Sequence, residues 1–195
     1  MNNNNGFTFV SFKRKTINSN LQQNIQNRQN IQNRQNRQVN IVNKNMEWGT
    51  VTWTLFHWLA ANINEDFYQR SSGQLHSMVL NIMYNLPCPS CKQHAIEFSN
   101  KYDIKTAKTK SQLIQYFYFF HNRVNNRKNI TNPDRSILNN YIKMNGVEVI
   151  NNWYKKFKNN LGINMNDFMN KQNIAQAKEM MIRFITSNRS QFSNL

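Results

Sequence analysis

The chain is 195 residues long, 39% hydrophobic, with 25 Lys and Arg against 9 Asp and Glu, a formal net charge of +16. That length sustains one modest core rather than two large domains, and the charge favours anionic partners such as nucleic acid or phosphate-bearing cofactors. Two cysteines exclude a secreted disulfide framework, and no apolar run reaches the roughly 20 residues that span a bilayer.

Residues 1–45 hold seven basic residues and no acidic ones. Within them QNIQNRQNIQNRQNRQ is a near-repeat with few apolar side chains. This predicts a disordered basic arm, with Arg28, Arg34 and Arg37 available to nucleic acid phosphates. The arm lacks an apolar stretch ahead of a small-residue cleavage site, so a secretory signal is not expected and an intracellular setting is. Asn is enriched along the whole chain, so single Asn residues carry little functional weight.

Folded character starts at Met46. In WGTVTWTLFHWLAANI, Trp48, Val51, Leu55, Leu59 and Ile63 recur at helical spacing. Ser72 is the expected N-cap of a second helix, with Leu75, Val79, Ile82 and Leu86 on one face and Pro87 ending it. Cys88 stands at the start of a third helix, with Pro89 at the favoured first position. After a linker from Lys105 to Lys110, Thr109 and Gln112 have capping-box spacing and open an aromatic helix, SQLIQYFYFFHNRVNN. Asn132-Pro133-Asp134 is a turn. Two further helical patterns, around Trp153–Phe157 and Ala175–Ile185, suggest an appended helical pair. No strand alternation is visible. The expectation is an all-α bundle of four to five helices over residues 46–140, with a disordered arm at 1–45 and a helical extension at 141–195.

Both cysteines lie in NLPCPSCKQHA. As a staple, a ring this small removes only about 2 kcal/mol of unfolded-state entropy, against roughly 3 for a 15-residue loop. As a zinc site, Cys88, Cys91 and His94 need a fourth ligand from His57, His76 or His121, and one CxxC without a second pair is weak support. As a redox pair, the sulfurs sit within bonding reach on a helix's first turn, where the dipole and free N–H groups stabilise a thiolate.

The flanking segments bear on where electrons would go. Gly49, Trp53 and His57 are spaced i, i+4, i+8 and share one helical face. Gly49 permits close approach of a flat group, Trp53 offers a stacking surface and His57 a hydrogen bond. His121-Asn122-Arg123-Val124-Asn125 ends the aromatic helix, with Arg127 and Lys128 beyond it as phosphate partners. Taken singly, a WxxxH face is more often core than cofactor box, and an HN pair is usually a cap.

Together, GxxxWxxxH, then CxxC, then HNxVN resemble the FAD-linked sulfhydryl oxidases of the Erv/ALR type, over roughly residues 47 to 130. CPSCKQHA is similar to the versions carried by large DNA viruses. The resemblance implies a helical bundle that binds FAD beside the cysteine pair, usually as a homodimer. It implies a thiol oxidase that makes disulfides in protein substrates and gives the electrons to oxygen as hydrogen peroxide. Carried over, Cys88 is the outer sulfur and Cys91 the flavin-facing one. Gly49, Thr50, Trp53 and His57 line the flavin pocket. His121, Asn122, Val124 and Asn125 serve the adenosine side, and Arg127 and Lys128 the diphosphate. A viral source implies the host cytoplasm, a virus factory or the virion. Three departures stand out. Thr50 replaces the family's frequent Arg, and Leu86 its Tyr before Pro-Cys. The second disulfide that braces many members would fall at Tyr118 and Asp134. The family aromatic beyond this region aligns at Tyr141. Without a shuttle cysteine pair, substrate, such as a thioredoxin-like protein, is expected to meet Cys88 directly. The alternative is a basic nucleic-acid-binding or zinc-binding helical module with a structural CxxC.

Overall fold

Helix formation starts from strong local caps. The computed structural model describes residues 25–32, 34, 47–158 and 165–195. The first folded helix, α1, spans Glu47–Asn62. Its second half is apolar nearly all round: Leu55, Phe56, Trp58, Leu59 and Ala60 are all buried. Such a helix must be covered on several sides, and α1 is packed by three later helices.

The second helix, α2, spans Glu65–Tyr84. The N-cap expected at Ser72 is corrected here to Asn64, whose side chain accepts from the Phe67 N–H at 3.0 Å. Glu65 and Asp66 add favourable charge in the first turn. The first two turns carry mainly polar side chains and then Gly73, so their apolar periodicity is faint. Their anchor is Tyr68, fully buried, whose hydroxyl donates to the Ala107 carbonyl at 2.6 Å.

The third helix, α3, spans Pro89–Lys101 with Cys88 as its N-cap. A 3₁₀ turn at Ile104–Thr106 leads to α4, Lys110–Arg127. Both limbs of the Thr109–Gln112 capping box are formed. Asp134 caps a 3₁₀ turn at Arg135–Ile137, which continues into the short α5, Leu138–Ile142. Where the family's bracing disulfide would fall, the Tyr118 hydroxyl instead donates to the Pro133 carbonyl at 2.9 Å. One hydrogen bond thus ties this loop to α4.

Helices α6, Gly146–Lys156, and α7, Met165–Ser187, correspond to the two expected C-terminal patterns. Each is laid on the bundle, α6 along α1 and α7 along α2. Trp153, Phe157, Met181 and Ile185 are fully buried in the same core as Leu55 and Val79. The last residues lock this arrangement: Ser193 N–H donates to Asn62 O at 2.8 Å, and Gly146 N–H to Asn194 O at 2.7 Å. Among the described residues there is no strand, only an isolated bridge between Ile63 and Phe192. No helix there is long and apolar enough to cross a membrane.

The arm expected at 1–45 lies mostly outside the described residues. Residues 25–32 are helical and exposed, Ile25 and Ile31 included.

Gly146 is a close point of the α1–α6 contact. A Cβ there would overlap the edge of the Trp58 ring and sit 3.0 Å from the Asn194 carbonyl oxygen. Trp58 cannot swing aside freely, being fully buried with its indole N–H donating to the Met144 carbonyl at 3.2 Å. We expect Gly146→Ala to cost about 1–3 kcal/mol. Urea unfolding checks this, and an unshifted midpoint would mean that Trp58 yields without loss.

Candidate active site

The redox pair is built by the start of α3. Pro87 ends the preceding segment, Cys88 has the extended backbone of an N-cap, and Pro89 fixes the first turn. Cys88 and Cys91 are joined as a disulfide with Cα atoms 5.1 Å apart. The Cys91 backbone N–H points at Cys88 Sγ, 3.2 Å away, and the Ser90 hydroxyl lies 3.2 Å from the same sulfur. Both donors favour negative charge on Cys88 once the bond is opened. The zinc alternative needs these sulfurs as ligands, but they are bonded to each other. Among the described residues, no three His, Cys, Asp or Glu side chains gather to hold a metal.

Beside Cys91 lies a thin slot of about 70 Å³. Its walls include Gly49, Trp53, Phe56, Leu86, Cys91, His94, Phe120, Val124, Arg127 and Lys128. Helices α1 and α4 supply the flat faces. Trp53 meets Phe120 edge-on at 4.9 Å and lies parallel to His121 at 4.2 Å, 8° from coplanar. A Cβ placed on Gly49 meets nothing within 4 Å, so the glycine faces open space.

The stack continues inward. His57 Nε2 and His121 Nδ1 are 3.1 Å apart, so one ring donates to the other. The Tyr141 ring covers His57 at 4.7 Å. Burial, then the neighbouring His121, holds His57 down to about 3. Burial, then Lys128, holds His121 down to about 4. Both rings are therefore neutral at physiological pH and act as hydrogen-bonding groups rather than cations. Beyond them His57 and Tyr141 help line a wider cleft of about 630 Å³ bordered by Lys110, Arg135 and Asn139.

The structure thus gathers Gly49, Trp53, Cys91, Val124, Arg127 and Lys128 in one slot, with His57 and His121 continuing from it. Asn122 and Asn125 line neither cavity. Asn125 is buried, and its carbonyl accepts the N–H groups of Lys128 and Ile130, which turns the chain out of α4. Thr50 is not brought into the slot: it is exposed, and its carbonyl accepts from the Thr54 hydroxyl. Sequence reasoning weighed His94 only as a zinc ligand. Here it lines the slot beside Cys91, a position that its place three residues after Cys91 on the same helix face could have signalled.

The donor set can be tested against a flavin dinucleotide. Among the described residues five buried side-chain polar atoms have no partner in the protein, on His57, His94, Tyr116, Asn122 and Trp153; of these, His57 Nδ1 and His94 Nδ1 belong to residues that line the two cavities. Buried polar atoms rarely stay unpaired, so these two fit a polar ligand that the protein alone does not supply. Flat aromatic walls, two cations and an open glycine complete the set. In chemistry the lining residues fit the group.

Comparison with known proteins agrees with this chemistry. Residues 50–145 match the model of the Erv1 / Alr family. The chain is 30% identical over 83 residues to the "Putative FAD-linked sulfhydryl oxidase 096R" of Invertebrate iridescent virus 3, covering 42% of this chain and 56% of that protein. It is 31% identical over 85 residues to the FAD-linked sulfhydryl oxidase of African swine fever virus (isolate Warthog/Namibia/Wart80/1980), covering 43% of this chain and 70% of that one. The chain thus spans little more than half the length of the first of these relatives. No solved structure matches it with significance.

Proposed function

This chain belongs to the Erv1/Alr family, and on that premise we propose that it is an FAD-dependent thiol oxidase. It joins substrate thiols into disulfides and reduces oxygen to hydrogen peroxide. The observation that carries this is the placement of the cysteine pair. Cys91 is part of the wall of the aromatic slot, while its disulfide partner Cys88, at the N-cap of α3, is half-buried and does not line the slot.

The residues divide the work accordingly. A substrate thiolate attacks Cys88 Sγ; the Cys88–Cys91 bond breaks and Cys91 leaves as a thiolate facing the slot. A second substrate thiolate attacks the mixed disulfide, so the substrate departs as a disulfide and Cys88 is released as a thiolate. The Cys91 N–H and the Ser90 hydroxyl hold that charge. Bound FAD would supply a two-electron acceptor for the reduced Cys88–Cys91 pair, with oxygen as the terminal oxidant. Trp53 and Phe120 provide the walls that exclude water, Arg127 and Lys128 the positive charge for a diphosphate, and neutral His57 and His121 the hydrogen bonds.

The 195 residues hold no cysteine beyond this pair, so substrate meets Cys88 without a relay in this chain. A thiol-bearing protein, such as a thioredoxin-like one, is the substrate class that follows. The homodimer, the contact of the basic arm with nucleic acid, and a place in the host cytoplasm, virus factory or virion are carried into this proposal from the sequence and the resemblance. Purified protein should show a flavin absorbance band and consume oxygen with dithiothreitol. A preparation that stays colourless and oxygen-inert after incubation with FAD would overturn the oxidase.

A further inference from the structure

The groove beside the redox turn, bordered by Pro87 and Pro89 on either side of Cys88, is not made by the family-matching segment alone. That segment ends at residue 145. The groove, about 180 Å³, is lined by Leu86, Pro87, Pro89, Lys92 and Ile96 around the redox turn, and by Asn170 and Ile174 from α7. The reach of α7 follows from its direction. Phe184 packs near Phe67 at the start of α2, at 6.0 Å between ring centroids, and the Met180 sulfur lies 3.4 Å from Asn81 Nδ2 further along. The two helices are antiparallel, so the first turns of α7 arrive where α2 runs out into Pro87-Cys88. Buried Ile174 fixes that end.

We propose that this groove is the substrate-docking site of the oxidase, and that α7 makes it selective for an extended, acidic, cysteine-bearing segment of a protein substrate. The inference rests on the oxidase reading above and adds the substrate's chemistry. Leu86, Pro87, Pro89, Ile96 and Ile174 give an apolar floor. Asn170 offers a side-chain amide that can pair with an extended backbone, and Asn85 and Gln93, whose amide nitrogens are held by Asn81 and Glu97, offer their carbonyl oxygens as acceptors. Lys92 is the groove's cation, and among the described residues its lining has no carboxylate. It lies one turn beyond Cys88, in a chain of net charge +16. Acidic residues beside the substrate cysteine are thereby attracted, and basic ones repelled.

The test uses thiol exchange, which needs neither flavin nor oxygen. In full-length Cys91→Ser, the Cys88 thiolate attacks a peptide whose cysteine is capped by thionitrobenzoate. The peptide–Cys88 disulfide forms, and the coloured thionitrobenzoate anion leaves. An acidic peptide and its Lys-substituted counterpart are compared, each rate being divided by that with Ellman's reagent. The acidic peptide should react about fivefold faster at low salt, the size of one exposed charge pair. Adding Lys92→Glu should reverse the preference. Adding Asn170→Trp, an exposed position where a large ring fills the groove, should slow both peptides relative to Ellman's reagent. Equal rates for the two peptides, or ratios indifferent to both substitutions, would sink the docking site. Because this exchange runs without the cofactor, its failure is separate from failure of the oxidase, which is read by oxygen uptake.

Discussion

Cys91→Ser should lose dithiol-driven oxygen consumption by about a thousandfold or more, while keeping its flavin absorbance. The loss follows from geometry. Cys91 is the sulfur in the slot wall, and no other cysteine in the chain can take its place. Cys88→Ser should lose turnover as completely, because no sulfur–sulfur bond is left for substrate to attack. The two variants separate by thiol chemistry. With Cys88 alone, the thiol is half-buried at the helix start, outside the slot, and should trap a mixed disulfide when offered an oxidised partner protein. With Cys91 alone, the thiol faces the slot between Leu86, His94 and Phe120 and should trap little. An oxygen electrode and non-reducing gels read both results. A Cys91→Ser enzyme retaining more than about a tenth of wild-type turnover would mean that electrons reach oxygen by a route other than this pair.

Much of this site is local in sequence, which is why it was legible there. The start of α3 needs only Cys88 and Pro89, and the start of α4 only Thr109 and Gln112; each cap closes within three residues. Gly49, Trp53 and His57 share a face through helical spacing alone. What escaped was set by distant partners. Asn64 was missed as a cap because the turns after it bury little except Tyr68, whose partner is 39 residues away at Ala107. The hydrogen bond from Tyr118 to Pro133 depends on where the loop after α4 folds back. Thr50 shares a helix with Trp53, yet it points to solvent, since the slot takes only one side of α1. The groove wall from α7 needed the antiparallel pairing of α2 and α7, which no periodicity announces.

The same burial that shapes the cleft should make the protein sensitive to mild acid. His57, His121 and His76 are held to about 3, about 4 and about 4, each chiefly by burial. His76 is tied to Tyr68 at 2.8 Å. Tyr68 spends its only proton on the Ala107 carbonyl, so His76 is the donor in that contact through Nε2. In the His57–His121 pair, one nitrogen of the contact must remain an acceptor, and protonating both rings would abolish it. Unfolded histidines bind protons near 6.5, whereas these folded ones do not until pH approaches 4. The unfolded state therefore holds more protons through that window. The stabilisation is fully present above about pH 6.5 and is lost as pH falls toward 4. With three protons at stake, the slope approaches about 4 kcal/mol per pH unit at its steepest. Urea midpoints measured at about pH 7, 6 and 5 should fall steadily. His76 lines neither the slot nor the wider cleft, so His76→Gln should lower the slope by about one proton without altering the lining of either. Midpoints that stay level from pH 7 to 5 would show that these rings take up protons in the folded state, and that the His57–His121 contact tolerates charge.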